Sequence, residues 1–187
     1  RFEADLDMRM DRSTQKTAKD IIATYSENNL HKILGMYGEI TNARTLAATI
    51  VRARANDKLD TVEELKSAIK HLAPRGKENK YFAQVFQALR IEVNDELKAL
   101  EELLVQSAEV LKPGGKLVVM SYHSLEDRLV KNFVGKGLFH GEPEKDVYGN
   151  YYKPFDAENR KPIEASETEV AINKRARSAK LRIAIKK

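Results

Sequence analysis

Apolar positions recur at helical spacing along the first part of the chain, and the spacing changes abruptly near Pro113. Residues 1–11 carry no helical period: Leu6, Met8 and Met10 alternate with Asp5, Asp7, Arg9 and Asp11, which suits a short half-buried strand or an extended lead-in. From Thr17 to Tyr25, Ala18, Ile21, Ile22 and Tyr25 share a helix face. Ser26 can cap a second helix bearing Leu30, Ile33, Leu34 and Tyr37, ended by Gly38. Thr41 can cap a third, Ala43 to Ala55, with Leu46, Ile50 and Val51 inward and Arg44, Arg52 and Arg54 outward. Thr61 with Glu64 forms a capping box for a fourth, which runs to about Leu72 before Pro74. Such short amphipathic helices predict a small all-α unit over residues 12–78.

After the basic connection Arg75, Gly76, Lys77 and Lys80, helical spacing resumes from about Asn79 to Lys112, with Asn94 as a candidate cap for a restart. Pro113, Gly114 and Gly115 then break the pattern. Lys116 to Tyr122 is apolar on both faces through Leu117, Val118, Val119 and Met120, as in a central parallel strand. Ser124 followed by Asp127 is a cap signature for a helix over Glu126 to Val134, which Gly135, Gly137 and Gly141 end. Residues 136–169 are polar and predict a mobile segment with a hairpin at Gly149-Asn150. Leu181 to Ile185 alternates and predicts a closing strand.

A chain of 187 residues, 42% hydrophobic, has enough apolar surface for a buried core. It contains no cysteine, which excludes disulfides, thiolate metal ligands and a cysteine nucleophile and suits a reducing compartment. No apolar run has the length of a membrane span, and the acidic start RFEADLDMRMD is unlike a signal peptide, so the chain reads as cytoplasmic with no membrane partner. The net charge is +5, yet residues 170–187 alone hold seven basic side chains and no acidic one. The positive field is therefore local, suiting either phosphate contact by Lys174, Arg175 and Arg177 or a lysine-guarded sheet edge.

In open α/β sheets ligands sit beyond the carboxyl ends of strands, which here is where Ser121, Tyr122, His123 and Ser124 emerge. His123 and Ser124 are the candidate catalytic residues, with Tyr122 placed to stack on a substrate ring and Arg128 to meet a phosphate. The competing reading makes Tyr122 core and Ser124 a helix cap, with Glu126 and Asp127 serving the helix dipole. Gln87, Arg90 and Asn94 fall within about 60° on a helical wheel. They form either an internal polar network or a site wall, in which case Arg90 and Asn94 are substrate-binding candidates. The four histidines lack metal-ligand spacing, so no metal site is expected. His123, Ser124 and Asp127 lie too close in sequence to converge as a hydrolytic triad.

Four segments, DLDMRMD (5–11), FQALRIEVNDEL (86–97), KPGGKLVVMSYHSLEDRLVK (112–131) and NKRARSAKLRIA (173–184), resemble blocks of the RsmH family, also called MraW. Those proteins are bacterial small-subunit ribosomal RNA cytosine-N4 methyltransferases that use S-adenosylmethionine. The resemblance implies a partial class I (Rossmann-like) methyltransferase sheet with an inserted all-α domain at 12–78, preceded by the end of an N-terminal methyltransferase segment (1–11) and followed by its C-terminal part (79–187).

The resemblance also implies ribosomal RNA as partner, contacted by Arg175 and Arg177, and S-adenosylmethionine as cofactor. The sequence begins where the family's is about one third complete. The cofactor-binding residues of the earlier third therefore have no counterpart, and Gly114-Gly115 precedes a strand where a cofactor loop follows one. The expectation is an RNA methyltransferase represented by a form inactive alone, with a non-catalytic RNA-binding or interaction fragment as the alternative. An uncovered sheet face in such a form invites a homodimer.

Overall fold

The computed structural model describes residues 4–187. Residues 1–3 of the predicted lead-in lie outside the described residues. The chain forms two compact units, one ending at Glu96 and one spanning Leu97–Lys187.

The first unit is helical: α1 (Ala18–Thr24), α2 (Glu27–Met36), α3 (Ala43–Asn56), α4 (Val62–Ile69) and α5 (Glu78–Asn94), with a 3₁₀ turn at Lys70–Leu72. Three caps obey the local code. Thr17 with Asp20 and Thr61 with Glu64 make reciprocal capping boxes, and Ser26 accepts the Asn29 amide. The cap of α3 is a correction. Asn42, not Thr41, precedes α3, and its side chain makes no cap bond because it is used elsewhere: Nδ2 donates to Leu72 O, and Oδ1 accepts from the Tyr81 hydroxyl. Leu30, Leu34, Leu46, Ile50, Leu65, Val85 and Leu89 are fully buried in one core, against which α5 packs beside α1 and α2. Gly38 is required by close approach, since a Cβ there would sit 2.7 Å from Leu34 O and 3.0 Å from Gln84 O.

The lead-in is extended, with a single bridge from Asp5 to Thr61. Leu6 is buried, its amide donating to Asp60 O and its carbonyl accepting from Lys19 N. The predicted helix restart is a break at Asp95, whose φ of 49° is left-handed and ends α5. Asn94 does not cap the next helix. It donates from Nδ2 to Met8 O and accepts the Met10 amide at Oδ1, pinning the lead-in to α5.

The second unit holds α6 (Glu96–Val110) from its second residue on, β1 (Lys116–Ser121), α7 (Ser124–Lys136), β2 (Phe155–Ala157), β3 (Ile163–Glu164), α8 (Glu167–Ile172), a 3₁₀ turn (Lys174–Ser178) and β4 (Lys180–Lys186). The predicted central parallel strand is corrected here. β1 pairs antiparallel with β4, Val118 opposite Ile183, and within the described sheet it is an edge, while β4 lies between β1 and the short β2 and β3. Apolar residues on both faces of a strand carry no information on the direction of the partner, and here only one of the two faces is turned to the core. Leu117 and Val119 turn toward the core of Leu104, Val130, Phe133, Phe155 and Ala184, whereas Val118 and Met120 on the other face are 55% and 52% exposed.

The predicted end of α7 also shifts. The helix continues through Gly135 and stops at Gly137, whose φ is 73° and where a Cβ would lie 2.6 Å from Tyr152 O. Within the polar stretch, Phe155 is fully buried against the Phe133 ring, and the turn at 146–150 is braced by the Asp146 carboxylate, which accepts the Tyr148 and Asn150 amides.

Candidate functional site

The mouth of β1 is shaped by a helix cap. Ser121 ends the strand buried, and the next backbone amides, of Tyr122 and His123, both point to Glu126 Oε2, at 2.8 and 3.4 Å. In return His123 Nδ1 accepts the Glu126 amide at 3.4 Å. The box is thus His123 with Glu126, one residue earlier than the predicted Ser124 cap, and Ser124 is the exposed first residue of α7. An Nδ1 that accepts an amide leaves the proton of the neutral ring on Nε2, which lies 3.3 Å from Glu126 Oε1. The His123 side chain is only 12% exposed. Its visible work is to fix the turn that projects Tyr122.

Tyr122 is 56% exposed, and its hydroxyl donates to Met120 Sδ at 3.2 Å, which lays the side chain along the sheet face away from α7. On that face a cleft of about 520 Å³ has Met120, Leu181 and Ile163 as apolar lining and Glu164, Glu169, Asn173 and Arg175 as polar lining, with Tyr122 among them. Local bonds hold its far side. Ser166 accepts the Glu169 amide to start α8, Asn173 Oδ1 accepts the Arg175 amide to start the 3₁₀ turn, and Ala176 is buried beneath it. Each is a short-range polar cap of the kind that fixes a loop before it meets any ligand.

Of the sequence-predicted site residues, Tyr122 and Arg175 meet at this cleft. Arg177 is exposed on the same 3₁₀ turn but does not line it, and neither do His123, Ser124 or Arg128, of which Ser124 and Arg128 are exposed on α7. Arg90 and Asn94 belong to the helical unit, where their side chains have partners: Arg90 grips Glu96 through Nε at 2.8 Å and Nη2 at 3.1 Å, and Asn94 holds the lead-in. Gln87 of the same stripe donates to Tyr37 O, so the three residues serve the internal network. Two lining residues, Glu164 and Glu169, are not among those the sequence predicts. They reach the cleft only because β3 pairs with β4 at Ile163–Leu181, a long-range register that no local pattern announces.

The C-terminal charge is also less available than its count suggests. Arg182 is bound by Asp127, Lys180 lies 3.8 Å from the same carboxylate, and Lys186 sits over the Phe155 ring. Burial pushes the Asp127 carboxyl up, but the hydrogen bonds and charge of Arg182 outweigh it, and the group titrates below its ordinary value. In the helical unit, burial and the hydrogen bond to Glu92 push the Tyr25 hydroxyl up.

Chemically, the cleft offers an aromatic side chain, two carboxylates and one guanidinium. Stacking suits a flat ring, and a carboxylate is the natural acceptor for an exocyclic amine. The surroundings of β1 do not fit an adenosyl cofactor. The glycine pair precedes the strand, and the amides beyond its carboxyl end are occupied by Glu126. Among the described residues no helix is long and apolar enough to cross a membrane.

Comparison with known proteins adds a specific likeness. A model described as the MraW methylase family matches residues 1–187. A Cytophaga hutchinsonii protein named ribosomal RNA small subunit methyltransferase H is 60% identical over 184 residues, covering 98% of this chain and 61% of that protein. Proteins of the same name from Christiangramia forsetii and Bacteroides fragilis are 51% and 50% identical, each across 100% of this chain and 61% or 62% of their own length. The chain therefore spans about three fifths of the length of the curated relatives it matches.

Proposed function

The chain belongs to the MraW methylase family, and from that premise we propose that it serves S-adenosylmethionine-dependent methylation of the N4 amine of a cytidine in small-subunit ribosomal RNA. The relatives named for methylating that RNA support the substrate class. The observation that carries the assignment of a site is the meeting of Tyr122 with Glu164, Glu169 and Arg175, from two stretches about forty residues apart, around one cleft at the carboxyl end of β1.

In this reading the target cytosine leaves its stack and rests against Tyr122. Glu164 or Glu169 accepts a hydrogen bond from the amine, which helps draw its single, ring-delocalised lone pair toward the methyl donor, offsets the positive charge that grows on nitrogen as it is alkylated, and takes up the proton that nitrogen then loses. Arg175 meets a phosphate beside the flipped nucleotide. His123 acts through Tyr122, as a positioning residue. S-Adenosylmethionine supplies the methyl group, and none of the described residues is assigned to hold it.

The test is nucleoside mass spectrometry of small-subunit ribosomal RNA methylated by the wild-type, Tyr122→Ala and Tyr122→Phe proteins. N4-methylcytidine that is lost with alanine and retained with phenylalanine is the expected result. A different methylated atom, or indifference to Tyr122→Ala, overturns the reading. A second reading, RNA binding without methyl transfer by this chain, is favoured by the poor fit of the β1 surroundings to the cofactor. Calorimetric titration of the 187-residue chain with S-adenosylmethionine separates the two: micromolar binding excludes the second.

A further inference from the structure

On the α7 side of the sheet a second cleft, of about 350 Å³, opens between α7, the end of β2 and β4. Four basic side chains line it, Lys131, Lys136, Arg160 and Arg182, and no acidic one does. The cleft beside Tyr122 is the reverse, with two carboxylates and one guanidinium. A concavity lined by charge of one sign concentrates ions of the other.

Two of the four cations are already answered. Arg182 is held by Asp127 at 2.7 and 3.1 Å, and Lys136 is bonded to Glu142. Lys131 and Arg160 are exposed and have no ion pair among the described residues. Lys131 stands one helical turn after Asp127, the spacing at which the two would ordinarily pair, but both carboxylate oxygens are engaged by Arg182. The pair on β4 thus leaves Lys131 available at the rim. Between the cations lie Val134 and Ala157, with the uncharged amides of Asn132 and Asn159 beside them. Tyr151 adds an aromatic wall, kept in place by its hydroxyl's bond to Gly135 O at 3.0 Å.

Two exposed cations without an ion pair above an uncharged floor with an anchored ring match the chemistry of a single-stranded nucleic-acid groove, where phosphates meet the rim and a base or ribose covers the floor. We propose that this groove binds a single-stranded RNA segment, with Lys131 and Arg160 contacting consecutive phosphates and a nucleoside resting against Tyr151. The proposal rests on the ribosomal RNA reading and adds to it a contact surface separate from the cleft that takes the target base. Contacts of this kind fix register and carry little sequence information.

The experiment measures binding of a short fluorescein-labelled single-stranded oligoribonucleotide to the whole chain by anisotropy over a series of salt concentrations, with no cofactor or activity involved. Three proteins are compared: wild type, Lys131→Gln with Arg160→Gln, and the charge-preserving Lys131→Arg with Arg160→Lys. Circular dichroism melting establishes that each is folded. The neutral pair is expected to bind more weakly, its log–log salt slope shallower by about 0.7 for each lost phosphate contact, while the charge-preserving pair keeps the wild-type slope. Tyr151→Ala in the wild-type background is expected to weaken binding at unchanged slope. RNA binding with the same affinity and slope in the neutral pair overturns the groove and leaves the RNA reading standing. Failure of the wild-type chain to bind RNA overturns both. Displacement of the oligonucleotide by polyglutamate at equal charge concentration marks an acidic-peptide site and overturns the proposal.

Discussion

Arg182 in β4 grips Asp127 in α7 with two parallel bonds, Nε to Oδ1 at 2.7 Å and Nη2 to Oδ2 at 3.1 Å. Their side chains are 13% and 11% exposed, so the pair is a largely desolvated link between the helix and the strand that receives β1, β2 and β3. Removing one partner strands the other's charge in a poor solvent. Asp127→Ala should cost about 3 kcal/mol, the lower end for a broken buried pair. Chemical denaturation of the variant against wild type measures it. A loss under about 1 kcal/mol, the value of an exposed pair, would show that water screens it.

The same pair sets an acid limit. The Asp127 carboxyl titrates below its ordinary value of 3.8 because Arg182 more than offsets the upward push of burial. A depressed folded-state pKa means stability that is fully present above the unfolded value and lost as pH falls through the folded one. The wild-type melting temperature should therefore drop below about pH 4, the unfolded aspartate value, and Asp127→Asn should flatten part of that drop. Parallel slopes for the two proteins would place the acid sensitivity elsewhere.

His123 gives a prediction that separates positioning from chemistry. His123→Ala removes the acceptor for the Glu126 amide and loosens the turn that carries Tyr122, at a cost of about 1 kcal/mol. His123→Asn can still cap the helix. If the ring's task is to hold Tyr122, asparagine should restore both stability and methylation, with the alanine defect concentrated in KM for RNA. A histidine acting directly on the amine would instead show low kcat in both variants.

The features legible in the sequence are those that depend on neighbours a few residues apart. Ser26 and Thr61 are read as caps because cap and recipient lie within one turn, and Thr17, read only as the start of a helical face, caps in the same way. Asn42 and His123 stand one residue away from the expected caps for opposite reasons. Asn42 is drawn away from its cap by Leu72 and Tyr81, and His123 caps with a ring nitrogen in place of the usual oxygen. The direction of β1, the burial of Phe155 in a polar stretch and the arrival of Glu164 and Glu169 beside Tyr122 all depend on pairing with β4. Pairing across such separations leaves no periodic trace. The basic C-terminal stretch is legible as a total but not as a patch, since Arg182 is committed to Asp127 while Lys174, Arg175 and Arg177 stay exposed on the 3₁₀ turn.

That turn supports the last prediction, which contrasts two arginines placed two residues apart. Arg175 lines the Tyr122 cleft, its amide fixed by Asn173 and its neighbour Ala176 buried, whereas Arg177 is exposed outside the cleft. Both can meet phosphate, so each alanine substitution should weaken RNA binding and lower the log–log salt slope by about 0.7 for a single-stranded contact. Only Arg175→Ala should also slow methylation at saturating RNA, because only it loses a contact beside the reacting nucleotide. Arg175→Lys keeps the charge but not the forked donors, and should recover binding more fully than turnover. Filter binding across salt concentrations, paired with single-turnover methylation, reads both quantities. If Arg175→Ala and Arg177→Ala behave alike in both measurements, the cleft draws nothing specific from Arg175 and the turn is a diffuse phosphate contact. Unchanged affinity and slope in both variants would make its charge purely structural.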